Sequence, residues 1–185
     1  MTLSDVRLWT VDEYHRMLDA KILTERDRVE LIGGKIIYMS PQRPPHSATV
    51  QRASSYLKKI LGDRATVRIQ APITLSINSE PEPDIAIVRN DARDYFDRHP
   101  SAADTFLLIE VADTTLTKDI TIKASIYAEV GISEYWVLDV NNRQVYLFRQ
   151  PKEDKYEEMS ILSIDLEIYL LAFLETKVKV SNLFP

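Results

Sequence analysis

The chain has no cysteine, only four glycines in 185 residues, and no apolar run long enough to span a membrane. Without cysteine, disulfides and thiolate metal sites are excluded, and a reducing, cytoplasmic setting is the natural expectation. There is no glycine-rich phosphate loop, no nucleophile elbow and no clustered His/Cys spacing, which weakens kinase, hydrolase-triad and zinc readings. An excess of positive charge is also missing. A net charge of −5 argues against a protein that coats nucleic acid by bulk electrostatics. It leaves room for a carboxylate-rich site whose negative charge a metal would offset. The first residues, Met1-Thr2-Leu3-Ser4-Asp5, show neither the basic nor the apolar region of a signal peptide.

What is present suits a globular α/β domain, read as one domain over residues 1–185. Val11 to Ala20 reads as a short helix. Arg28–Ile32 and Lys35–Met39 form a hairpin around Gly33-Gly34, where glycine accepts positive φ. Pro41 to Pro45 breaks the chain, and a helix follows from about His46 to Leu61, stopped at Gly62. Strands are expected at Thr66–Gln70, Ile73–Ile77, Asp84–Val88 and Thr105–Val111, the last two being near-continuous apolar runs typical of strands covered on both faces. Tyr95 to Ala103 reads as irregular or a short helix. Thr117 to Val130 reads as a second long helix with Thr117 as N-cap, Asp119 complementing the dipole and Gly131 at C′. Strands at Glu134–Asp139 and Arg143–Arg149 flank an Asn141-Asn142 turn, and peripheral strands with a short apolar tail follow from Lys155.

Two carboxylates stand where burial makes them costly. Asp84 opens the run Asp84-Ile85-Ala86-Ile87-Val88, and Glu110 closes Phe106-Leu107-Leu108-Ile109-Glu110-Val111. An ionised carboxylate on a buried strand needs a partner, hydrogen bonds or a metal. Pro81 and Pro83 stiffen the approach to Asp84. Glu110 shares a strand face with Phe106 and Leu108, at the strand end where open α/β sheets place ligand crevices. Lys123 follows on the next helix, on one face with Ile120 and Tyr127, and also four residues after Asp119 in the orientation of a routine helix pair. Two acids on adjacent strands and one cation form the smallest kit for metal-assisted phosphodiester hydrolysis. Glu30 is either a third acid of that pocket or the polar face of a half-exposed hairpin, and spacing alone favours the latter. His46, at a helix start after Pro44-Pro45, is a proton shuttle or a structural cap residue; His15 and His99 have no motif context. Arg43, Arg52, Lys58, Lys59, Arg64 and Arg68 fall in one stretch, and read most simply as a solvated face.

The ordered set of motifs resembles the Uma2 family, a large bacterial group of restriction-endonuclease-like proteins. The segments that carry the resemblance are Arg28-Val29-Glu30-Leu31-Ile32-Gly33-Gly34-Lys35, Pro41 with His46 downstream, Pro83-Asp84-Ile85-Ala86-Ile87-Val88, Ile109-Glu110-Val111, and Asp119, Lys123 and Tyr127 ahead of Gly131-Ile132-Ser133-Glu134-Tyr135-Trp136-Val137-Leu138-Asp139. The closing Asn182-Leu183-Phe184 fits as well.

The resemblance implies the PD-(D/E)XK nuclease fold, a restriction-endonuclease-like α/β core with a central mixed sheet flanked by helices. Asp84 and Glu110 would be the motif acids and metal ligands, with Glu30 as an additional acid and a backbone carbonyl at Val111 as a further ligand. Most of the superfamily places a lysine two residues after the second acid. Here that position is Ala112, and the resemblance implies that the lysine has moved to the following helix as Lys123. The Ser-Pro common after the second acid is also replaced, by Asp113-Thr114 within Ala112-Asp113-Thr114-Thr115. The implied cofactor is Mg²⁺ or Mn²⁺, the implied substrate DNA, and pairing into a homodimer would suit cutting both strands. The rivals are a catalytically inactive nuclease-fold module that binds nucleic acid or protein, and a phosphodiesterase acting on RNA or a small nucleotide.

Overall fold

The computed structural model describes residues 6–24 and 26–185; the Met1–Asp5 reading lies outside them. Helix α1 (Val11–Asp19) begins at a capping box in which the Thr10 side chain accepts from Glu13 N–H and the Glu13 carboxylate returns to Thr10 N–H. Its Val11 and Tyr14 pack on Val29 and Leu31 of the hairpin β1 (Val29–Ile32) and β2 (Lys35–Tyr38). The turn requires its glycines: Gly34 has φ +75°, and a Cβ there would stand 2.6 Å from that of Leu8.

Six strands form the main sheet in the order β3-β4-β5-β6-β7-β8: β3 (Thr66–Ile69), β4 (Ile85–Val88), β5 (Thr105–Ala112), β6 (Glu134–Asp139), β7 (Gln144–Lys152) and β8 (Lys155–Leu162). Only β5 and β6 run parallel, which demands a crossover, and the helical segment between them supplies it. A separate antiparallel pair, β9 (Glu167–Leu170) and β10 (Phe173–Lys179), packs with α2 (Pro44–Leu61) on one face of the sheet. The core there includes Leu57, Ile109, Val111 and Trp136. The other face packs Leu108, Ala112, Tyr127, Tyr135 and Val137 beneath the crossover helices. Strands β4 and β6 and most of β5 are buried throughout, as their unbroken apolar runs require. Among the described residues no helix is long and apolar enough to cross a membrane.

Three expectations change. The segment 73–77 is not a sheet strand: it makes only isolated bridges, folds back through Ser76 and Ser79, and is tied by Ile73 N–H to Pro81 O. Pro72, Pro81 and Pro83 deny it the donors of a ladder. Phe106 does not share the face of Glu110, because Ile87 pairs with Leu107 and Val88 with Thr105. That bulge turns Phe106 to the opposite core, against Phe173. The expected helix from Thr117 starts earlier and is interrupted: α3 (Leu116–Lys118), with Thr115 at the N-cap position but making no side-chain capping bond, leads into a π-helical segment (Asp119–Lys123) and then α4 (Ala124–Glu129), with Gly131 at φ +78° after it.

Candidate active site

Antiparallel pairing of β4 and β5 sets Ile85 opposite Ile109. Asp84 directly precedes β4, and its Oδ2 accepts from the N–H of Val111, the residue after Glu110, at 2.8 Å, which brings the two carboxylates to one end of the β4-β5 pair. They open into a cavity of about 500 Å³ whose walls include Glu30, His46, Asp84, Glu110, Val111 and Lys123.

Asp84 is held by three donors. Val111 N–H donates to Oδ2 at 2.8 Å, His46 Nε2 lies 3.1 Å from the same oxygen, and Gln70 Nε2 donates to Oδ1 at 3.1 Å. Burial alone would raise this carboxyl; the His46 hydrogen bond and charge, with Val111 and Gln70, hold it below its ordinary range. His46 responds in the opposite sense. Burial pulls its imidazole down, but the hydrogen bond and charge of Asp84, with Asp113 and Asp119 nearby, leave it raised.

Glu110 is more deeply enclosed. Lys123 Nζ donates to Oε1 at 2.8 Å and Tyr127 Oη to the same oxygen at 2.7 Å. Burial pushes the Glu110 carboxyl up to about 8, against the pull of Lys123 and with added repulsion from Asp84, Asp119 and Glu30. Lys123 moves up as well, because the carboxylates around it outweigh its own desolvation. A neutral Glu110 and a Lys123 raised by Glu110's charge are not independent states; the ammonium, facing three acids, keeps the proton.

The π-helical segment explains how a helix delivers this lysine. Ala124 N–H reaches back five residues to Asp119 O. Such a turn brings positions five apart round to one side. Lys118 and Lys123 consequently both face Glu30, at 3.3 Å from Oε1 and 3.8 Å from Oε2, while Glu82 N–H donates to Oε2 at 3.2 Å. Glu30 is therefore not the polar face of a half-exposed hairpin: β1 is buried at all four positions. Asp119 does not form the routine helix pair with Lys123 either. It is buried, accepts from Thr115 Oγ1 at 2.5 Å, and burial raises its carboxyl.

Some wall residues escape the sequence reading: Lys118 is not singled out, and Gln70 figures only as the end of a strand. Asp119 and Tyr127 figure in the helix reading and among the resemblance motifs without a site role; Asp119 lines the wall, and Tyr127 bonds Glu110 without lining it. Asp113 occupies the loop after β5, its side chain 10% exposed, 3.6 Å from Arg43 and too far for a hydrogen bond, so its Oδ2 is a buried acceptor without a donor. His15 and His99 lie elsewhere. His15 bonds Glu80 at 2.6 Å, Thr74 donates to the other Glu80 oxygen, and the rings of His15 and His99 are 6.4 Å apart. That cluster braces the segment leading to Asp84.

The donor set suits a hard cation. Both hydrogen bonds to Glu110 fall on Oε1, leaving Oε2 without a protein donor among the described residues, a free carboxylate oxygen of the kind such cations take. No three His, Cys, Asp or Glu side chains among the described residues form a ready cage.

The Uma2 family model, described as "Putative restriction endonuclease", matches residues 11–181. None of the curated proteins matches. Among solved structures, the crystal structure of a "putative nuclease belonging to DUF820" from Anabaena variabilis is similar, with a TM-score of 0.70 at 20% identity over 95% of this chain and 97% of that one. At that identity the likeness establishes the fold, a restriction-nuclease-like mixed sheet with flanking helices.

Proposed function

The chain belongs to the Uma2 family, and from that premise we propose that it is a metal-dependent endonuclease that hydrolyses DNA phosphodiester bonds in the cavity between β5 and the π-helical segment. The observation that carries this reading is the convergence of Asp84 and Glu110 on one cavity, Asp84 bonded to Val111 N–H and the Lys123 ammonium 2.8 Å from Glu110. Asp84 and the free Oε2 of Glu110 would hold Mg²⁺ or Mn²⁺, and the Val111 carbonyl stays a candidate ligand. When bound, the cation polarises the scissile phosphate and makes water a stronger nucleophile at neutral pH.

The chain's own groups do the rest. Val111 N–H and Gln70 fix the Asp84 carboxylate in one orientation. Lys123, and Lys118 beside it, are fixed positive charges where negative charge grows on the phosphate in the transition state. Glu30 is a positioning residue that holds both ammonium groups on the cavity wall. His46, whose imidazole the Asp84 carboxylate raises, is placed to give a proton to a departing oxygen.

Incubation of the purified protein with plasmid DNA and Mn²⁺, beside Asp84→Asn and Glu110→Gln, tests the reading. Cleavage should need metal and disappear in both variants. Mn²⁺ should raise the melting temperature of the parent and not of the double variant. Equal cutting by parent and variants would sink the assignment.

A further inference from the structure

Helix α2 begins at the cavity, where Arg43 and His46 line the wall, and runs away from it for 18 residues without one acidic side chain. In a protein of net charge −5 that is a local reversal of sign. Arg52, Lys58 and Lys59 are exposed on it, and none has an ion-pair partner among the described residues. Arg52, Tyr56 and Lys59 recur at the four- and three-residue steps of one helix stripe. The C-terminal strand extends the stripe: Lys179 N–H donates to Tyr56 Oη at 3.2 Å, and the Lys179 side chain is exposed, with no ion-pair partner among the described residues. The neighbouring acids are committed elsewhere, Glu175 to Arg64 at 2.7 Å and Glu167 to Lys177 at 2.8 Å. Exposed lysines and arginines normally scatter among acids, so free cations from two elements around one aromatic ring form a surface matched to polyanions.

We propose that this face, Arg52 and Lys59 of α2 with Lys179 of β10, is a track for the sugar-phosphate backbone of duplex DNA whose scissile bond lies in the cavity. The inference rests on the nuclease reading of that cavity and adds the substrate's size. From His46 to Lys59 the helix rises about 20 Å at ~1.5 Å per residue, equal to about six base-pair steps of ~3.4 Å. A mononucleotide in the cavity would touch none of the track, so the substrate is a polymer. A straight, rigid row of cations suits a duplex, whose phosphates keep a fixed spacing.

The test uses the full chain, with Arg52→Gln, Lys59→Gln and Lys179→Gln combined, and Lys155→Gln at the far edge of the sheet as control. Binding of a labelled duplex is followed by anisotropy across a salt series in chelator. Each lost phosphate contact should make the plot of log affinity against log salt shallower by about 0.9, so by about 2.7 for the triple variant, with the control unchanged. An unchanged slope in the triple variant overturns the track, as does an equal change in the control. Tighter, equally track-dependent binding of RNA overturns the assignment to duplex DNA. Cleavage separates the two levels. If the parent binds through the track but never cuts, the endonuclease reading fails and the track stands. If the parent and the triple variant cut duplex and dinucleotide alike, the track fails and the chemistry stands.

Discussion

Lys123 Nζ stands 2.8 Å from Glu110 Oε1, a helix-borne ammonium meeting a strand-borne carboxylate inside the protein, both nearly sealed from solvent. In a Glu-x-Lys arrangement, strand and register alone place the lysine. Here Ala112 occupies that position and packs into the core, and the π-helical segment performs the delivery. The cost is a buried charge cluster of three acids and one amine, tolerable only because each carboxylate has a donor: Tyr127 and Lys123 on Glu110, Thr115 on Asp119, Lys118 and Glu82 N–H on Glu30.

Replacing Lys123 by Met removes the cation and leaves Glu110 enclosed. Breaking a buried pair from one side costs about 3–5 kcal/mol; protonation of Glu110 moves the expected loss to the lower end. Cleavage should fall by about 10²–10³, as for loss of a transition-state charge donor. Thermal melts and metal-dependent plasmid nicking check both. A variant that melts like the parent would mean that Lys123 is not enclosed with Glu110.

The raised Glu110 carboxyl gives the metal-free protein a pH signature. A carboxyl whose folded value lies near 8, above its ordinary 4.5, favours the folded state most below 4.5, and that contribution is lost as pH rises through about 8. Stability measured in chelator should therefore decline between those limits. Glu110→Gln, which cannot ionise, should flatten the decline. Parallel pH profiles for parent and variant would show that Glu110 does not titrate in that window.

Much of this was legible in the sequence because strands β4 and β5 announce themselves by unbroken apolar runs, and a carboxylate ending such a run is conspicuous. Glu30, Asp84, Glu110, His46 and Lys123 do line one cavity. The same rule is not selective, however. Glu134 is equally buried on β6, yet it serves Arg149, Trp136 Nε1 and Leu171 N–H, and Asp139 serves Asn141 and Asn142. Periodicity also misses the π-helical segment, since one extra residue in a turn leaves no mark on a 3.6-residue pattern. Lys118 is hidden for that reason, and Asp119 is visible only as a dipole complement and helix neighbour of Lys123. The 73–77 segment misleads because its alternation is that of a strand, while the prolines around it decide its backbone.

The contrast with Glu134 is itself testable. Glu134→Gln should lower stability by about 2–4 kcal/mol, as a buried, multiply hydrogen-bonded carboxylate loses its charge beside Arg149. Metal-dependent cleavage well below the melting point should be unchanged. If cleavage falls in step with that of Glu110→Gln, the catalytic cavity is not where Asp84 and Glu110 place it.

The last prediction concerns His46 and Asp84. The imidazole is raised above 6.5, so its contribution to stability is complete below 6.5 and lost as pH rises through the raised value. Asp84 is lowered below 3.8, so its contribution is complete above 3.8 and lost as pH falls through the lowered value. The pair is thus fully formed between those limits. Replacing His46 by Ala should cost about 1.5–3 kcal/mol there, the range for a hydrogen bond to a charged group, and less above the raised value, where the imidazole of the parent has lost its proton. Chemical denaturation of both proteins in chelator across a series of rising pH measures the difference. A gap that does not narrow with rising pH would mean that His46 stays neutral beside Asp84, and its role as proton donor would fall with it.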